Sequence, residues 1–167
     1  MELYPWVVFV HVVATLLFFL AHGTAMTVAF RLKRERDPAR IRALLDLSSW
    51  SLGIAPSIAF AVGVIAGIAV GIWGGWFGQA WIWIALVLLV GVSGYMTPMV
   101  AARLNVIRAA AGTRSMNPFS KPPAAPPAEH DPAELARLLE AWNPMPAAVI
   151  GLGSFVVILW LMLFKPF

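Results

Sequence analysis

The chain has 167 residues, of which 60% are hydrophobic and only 12% are charged, and its mean hydropathy is +0.81. Soluble domains carry about 25% charged residues, so this composition excludes an ordinary soluble domain. The formal net charge of +4 does not indicate nucleic-acid binding, because the basic residues lie beside long apolar segments. The chain has no cysteine, which excludes disulfides, thiolate metal sites and cysteine nucleophiles.

Four apolar segments are each long enough to cross a bilayer, which takes roughly 20 mostly apolar residues. They cover residues 4–30, 52–73, 76–102 and 145–164. None alternates over about ten residues as transmembrane β-strands do. The first segment is too long for a signal peptide and has no basic residue before it, so we expect it to be retained. The sequence therefore predicts one all-α integral membrane domain over residues 1–167, a four-transmembrane-helix bundle.

The basic residues predict the orientation of this bundle. Eleven of the twelve lysines and arginines lie in the connections after the first and third segments. The connection around Gly74 and Gly75 carries no charge. Under the positive-inside rule the two basic connections face the cytoplasm, and both termini lie outside.

Both basic connections also contain a short amphipathic helix. Asp37 followed by Pro38 is typical of a helix N-cap and first turn, and Ile41, Leu44 and Leu45 follow on one face. The composition of residues 112–130 predicts a proline-rich linker. The second helix is predicted over residues 131–142 with Asp131 as its cap. We expect the first of these helices to lie as a surface helix at the lipid headgroups.

Small residues recur at every fourth position along the second span. This small-residue ladder consists of Ala55, Ala59, Gly63, Gly67, Gly71 and Gly75. Such a ladder lets another helix backbone approach closely. The partner is either a helix of the same chain or a helix of a second protomer or subunit. In the third span, Pro98 predicts a kink of the helix.

Two histidines are the strongest titratable candidates within the membrane, because the four spans contain no Asp, Glu, Lys or Arg. His11 and His22 are eleven residues apart, so they differ by about 20° around the first helix and by roughly 16 Å along it. They share one face, but they cannot bind the same small ion from one straight helix.

Three interpretations of these histidines stay open. In the first, each one hydrogen-bonds to a neighbouring helix and only holds the bundle together. In the second, His11 or His22 ligates the iron of haem b, with Met96, Met99 or an open position opposite. In the third, His22, Met96 and Met99 form a copper site, since imidazole and thioether groups suit Cu(I).

Short sequence landmarks follow one another along residues 4–105. They are His11, Phe30-Arg31-Leu32, Ile41-Arg42-Ala43-Leu44, Pro56, Gly75-Trp76-Phe77 and Gly94-Tyr95-Met96. In this order they resemble a superfamily of small bacterial four-helix membrane proteins. That superfamily includes the HemJ-type protoporphyrinogen oxidases, the CopD-type copper-resistance domains and uncharacterised relatives.

For the HemJ-type enzymes the resemblance implies haem b on a histidine of the first helix, which falls on His11. It also implies a lysine near the start of the third span and a Tyr-His pair near its end. The corresponding stretches here are Gln79-Ala80-Trp81-Ile82 and Tyr95-Met96. These departures argue against protoporphyrinogen oxidase activity and favour an uncharacterised relative.

Two functions of different class follow. The sequence favours a non-catalytic structural or accessory subunit that packs with other membrane-protein subunits or with itself. The alternative is a protein that binds haem b, or less readily copper, in electron transfer or tetrapyrrole chemistry. Both place a multi-pass protein in the lipid bilayer of the bacterial cytoplasmic (inner) membrane, without a nucleic-acid partner.

Overall fold

The computed structural model describes residues 2–113, 115 and 132–167. Within these residues all regular structure is helical, and four helices are long and apolar enough to cross a membrane. This confirms the predicted all-α fold with four helices able to span a membrane. Most of the predicted linker 112–130 and the predicted cap Asp131 lie outside the described residues.

The described residues form seven α-helices. They are α1 (Tyr4–Arg34), α2 (Pro38–Ser51), α3 (Ile54–Trp73), α4 (Ala80–Met96), α5 (Ala102–Ala110), α6 (Pro132–Ala141) and α7 (Met145–Phe164). A π-helical segment, Thr97–Ala101, joins α4 to α5. The four spans lie in α1, in α3 after α2, in α4 with its continuation into α5, and in α7.

The third span departs from the predicted α-helix at two places. Gly75 has a φ of 68°, a left-handed conformation that favours glycine, and Trp76–Gly78 then forms a 3₁₀ turn. For this reason α4 begins at Ala80, later than the predicted start at residue 76. The π-helical segment includes Pro98, the position at which a kink is predicted. Proline lacks the backbone N–H that an α-helical ladder needs, so a change of helix geometry at that point is expected.

The helices pack mainly as two pairs. In the first pair α1 lies along α3, and in the second α4 lies along α7. Trp81, Ile82 and Ala85 of α4 form a buried apolar cluster with Leu161 of α7. Between the pairs, the rings of Phe19 and Phe155 stack with their centroids 3.9 Å apart. α1 is therefore in contact with both α3 and α7.

Two carboxylates order the connection between α1 and α2. Glu35 Oε1 accepts hydrogen bonds from the backbone N–H groups of Asp37, at 3.1 Å, and Arg36, at 3.0 Å. These bonds hold the pKa of Glu35 below its usual range, so what they contribute is present at neutral pH and is lost in acid. Asp37 Oδ1 accepts from the N–H of Ala39 at 2.9 Å, which confirms the predicted N-cap.

A second apolar core lies at the end of the bundle where α1 ends. We call this end the basic end, because the last turn of α1 carries Arg31, Lys33 and Arg34. The core draws buried side chains from α1, α2, α5 and α6 and from the residues that follow α5 and α6. They are Ala29, Leu32, Ile41, Leu45, Leu104, Ile107, Ala111, Leu135, Leu139 and Trp142.

α2 is amphipathic as predicted, and its position at the lipid headgroups stays a prediction. Its face with Ile41 and Leu45 is covered by protein, and only its opposite face, with Leu47 and Trp50, is exposed. Apolar periodicity indicated the correct inward face, but it could not show that three other helices cover it.

Candidate functional site

His11 connects α1 to α3. Its Nδ1 lies 2.7 Å from the carbonyl oxygen of Gly63. Because a carbonyl only accepts hydrogen bonds, Nδ1 is the donor, and in the neutral imidazole Nε2 then keeps a lone pair. The His11 ring lies over Gly67, where an added Cβ would come within 2.8 Å of the ring Cε1 and 2.9 Å of Nδ1. The ring therefore occupies the space that the missing side chain of Gly67 leaves.

Successive positions of the small-residue ladder contact different neighbouring elements. A Cβ at Gly63 would lie 3.4 Å from Thr15 Oγ1, so α1 approaches α3 closely at this point. Gly71 faces Phe77 of the 3₁₀ turn and Ile82 of α4 instead of α1. At the two ends of the ladder, Ala55 is exposed and Gly75 has open space in front of it. Ala59, between Ala55 and Gly63, is half-buried. The structure thus brings the central glycines, Gly63 and Gly67, against α1.

His22 meets different helices. A Cβ at Gly151 of α7 would lie 2.8 Å from His22 Nε2 and 3.3 Å from the methyl carbon of Met96. The His22 ring stacks on Phe18, with centroids 6.2 Å apart and planes 28° apart. Phe18 in turn contacts Phe60 of α3, at a centroid distance of 5.0 Å. His22 and Met96 therefore come together where α1, α4 and α7 meet.

The Nε2 atom of His22 is buried and has no hydrogen-bond partner among the described residues. A buried polar atom without a partner is costly, and in the apolar interior of a membrane protein it marks a candidate functional group. His11 differs, since its Nδ1 proton is bonded to a backbone oxygen. The two histidines lie on one face of α1, yet His11 contacts α3 and His22 contacts α7.

The predicted copper ligands are only partly assembled. Met99 is 55% exposed and lines an open surface groove with Ala102, Arg103 and Val106. Met96 lies beside His22 instead. Within residues 2–113, 115 and 132–167, no group of three or more His, Cys, Asp or Glu side chains could hold a metal ion. The geometry leaves His22 and Met96 as a pair.

Two residues that matter for packing are missed by sequence reasoning. Arg108, one of the basic residues that follow the third apolar segment, is 1% exposed and donates to the Leu45 carbonyl and, at 2.8 Å, to Ser48 Oγ. Gly151 forms the contact surface for His22. A glycine within the last apolar span is a signal of close packing, but nothing in the sequence says which side chain it faces.

Comparison of the chain with protein-family models, with curated proteins and with solved structures gave no match.

The contact at Gly151 can be tested with a nearby glycine as control. We expect Gly151→Ala to lower the free energy of unfolding by about 1 kcal/mol, because the added methyl displaces the His22 ring and the Met96 methyl group. Gly153→Ala, two positions along α7, adds a methyl group into open space and should be neutral or slightly stabilising. Thermal unfolding of both variants in detergent, followed by circular dichroism, checks this. Equal melting temperatures for the two variants would contradict the packing described for His22.

Proposed function

We propose that this chain is a non-catalytic structural or accessory membrane protein, which packs its own helices together and packs against other membrane helices. The observation that carries the proposal is the position of His11. Its imidazole is bonded to the Gly63 carbonyl and lies over Gly67, so a conspicuous polar group of the first span joins α1 to α3. Polar side chains that hydrogen-bond between helices are a common means of association in lipid.

Packing against further membrane proteins is supported by the outer surface of α4. Among the residues that the structure describes, none covers Gly91 or Gly94, since an added Cβ at either position would meet none of their atoms within 4 Å. Val87 and Val90 are strongly exposed on the same helix. Small residues permit close backbone approach, so this helix is suited to a further helix from another subunit or from a second copy.

The proposal predicts a colourless protein. The full chain, purified in detergent from haem-replete cells, should show a helical circular dichroism spectrum and no stoichiometric Soret band, oxidised or reduced. His11→Ala should leave the visible spectrum unchanged and lower the melting temperature, because it removes the bond to Gly63. A stoichiometric Soret band that disappears in His11→Ala would overturn the proposal.

One observation favours haem b binding as a second candidate function. Donation from Nδ1 to a carbonyl leaves His11 Nε2 available, and metal-bound imidazoles commonly make this second bond. Met96 lies beside His22 and not beside His11, so His11 is the residue that would hold the haem iron. When bound, haem b would supply one-electron chemistry. A Soret band lost in His11→Ala and retained in His22→Ala would support this function.

We further propose that the basic end faces the cytoplasm of a bacterial cell. The support is the concentration of Arg31, Lys33 and Arg34 in the last turn of α1. The cysteine-free chain allows a direct test with an impermeant thiol reagent. Gly78→Cys, at an exposed position with open space around it, should react in intact cells. The matched variant Ala109→Cys, exposed on α5, should react only after the cells are permeabilised. The reverse pattern would contradict this orientation.

A further inference from the structure

We propose that His22 and Met96 form a binding site for a soft monovalent metal ion, with Cu(I) as the ion of this class available in cells. The proposal goes beyond a packing role, because it assigns metal binding to His22, whereas His11 joins α1 to α3. It begins from the buried Nε2 of His22, which has no hydrogen-bond partner in the described part of the chain. A metal ion bound there would satisfy this atom.

Met96 supplies the second ligand type. Its methyl carbon and His22 Nε2 both lie close to the same point above Gly151, at 3.3 and 2.8 Å. Methionine is unbranched, with three rotatable side-chain bonds and a polarizable thioether, so its sulfur is an adaptable ligand. Neutral imidazole and thioether groups are the ligands that suit Cu(I).

The local charge selects the class of ion. Helices α1, α4 and α7, which meet at this site, contain no Asp or Glu. A divalent ion would bring two charges into an apolar region without a carboxylate to balance them, and Zn²⁺ usually takes four N, S or O ligands. A monovalent soft ion with two neutral ligands is compatible with the residues present. Stacked Phe18 covers one side of the imidazole with an apolar ring.

The test is a competition assay on the full-length protein in detergent. The protein is titrated with Cu(I) under anaerobic conditions against a chromophoric Cu(I) chelator, and Ag⁺ is used as a surrogate that does not change oxidation state. We expect one bound equivalent of each ion. Met96→Leu and His22→Phe should each weaken binding by at least about tenfold, because one of two ligands is lost. The matched control Met99→Leu removes an exposed methionine and should bind as the wild-type protein does.

Further measurements separate metal binding at His22 and Met96 from a loss of fold and from haem binding. Met96→Leu conserves volume, so an unchanged melting temperature shows that a loss of binding is not a loss of fold. X-ray absorption of the Cu(I) complex should show nitrogen and sulfur scatterers, with the sulfur lost in Met96→Leu. The proposal is overturned if the wild-type protein binds no Cu(I) above a detergent blank. It is also overturned if both variants bind as tightly as wild type, or if the purified protein carries haem on His22.

Discussion

Gly67→Ala should lower the free energy of unfolding by about 2 kcal/mol, as over-packing of a tight contact commonly does. The added methyl group would lie 2.8 Å from His11 Cε1 and 2.9 Å from Nδ1, closer than carbon and nitrogen atoms approach without a bond. The ring cannot simply turn aside, because its Nδ1 is held 2.7 Å from the Gly63 carbonyl. Either this hydrogen bond is lost or α1 moves away from α3.

Gly91→Ala is the matched control, since it is also a glycine-to-alanine change within a spanning helix. Within the described part of the chain, no neighbouring side chain or other helix lies within 4 Å of the added Cβ, so we expect no loss of stability. Reversible unfolding by SDS in mixed micelles, followed by tryptophan fluorescence, measures both variants. If Gly67→Ala is as stable as Gly91→Ala, the close contact between the His11 ring and α3 is absent in the protein.

Arg108→Ala should lower the free energy of unfolding by about 3 kcal/mol, the second large effect that we expect. The Arg108 side chain is 1% exposed within the core of the basic end. It donates to the Leu45 carbonyl and to Ser48 Oγ, and so joins α5 to α2. Its removal breaks two charge-assisted hydrogen bonds and leaves a cavity between helices that the apolar core holds together.

Hydrogen exchange shows which helices are destabilised in Arg108→Ala and by how much. In Arg108→Ala, amide exchange should speed up in α2 and α5 while α7 stays protected. Arg103→Ala changes an exposed arginine of the same helix and should leave exchange as in the wild-type protein. Arg108→Met restores much of the volume, so the loss that remains in that variant reports the polar interactions of the guanidinium group. Equal exchange in Arg108→Ala and Arg103→Ala would contradict the role given to Arg108.

The spans could be predicted because a bilayer imposes one simple requirement, about 20 apolar residues in sequence. The same requirement says nothing about which span lies beside which. The positions of His11 and His22 around α1 follow from helix geometry, yet His11 lies on Gly67 of α3 and His22 on Gly151 of α7. Those partners depend on the arrangement of helices in space, which no spacing within one segment encodes.

The sequence predicts which residue types could form the candidate site, but only partly which individual residues lie together in it. Met96 and Met99 look equivalent in the sequence, but α-helical geometry ends at Met96 and a π-helical segment begins at Thr97. Met96 then faces His22, whereas Met99 lies on the outer surface. Arg108 shows the same limit at the basic end. A long side chain near a membrane rim can reach water or turn into protein, and only the surrounding helices decide which.

A double-mutant cycle at His11 and Gly67 tests whether His11 serves helix packing. The free energy of unfolding is measured for the wild-type protein, His11→Ala, Gly67→Ala and the double variant under one set of SDS conditions. Since His11→Ala empties the space above Gly67, the methyl group of Gly67→Ala should be tolerated in that background. We expect a coupling energy of at least about 1 kcal/mol between the two substitutions. Additive effects, within about 0.5 kcal/mol, would contradict the packing role of His11.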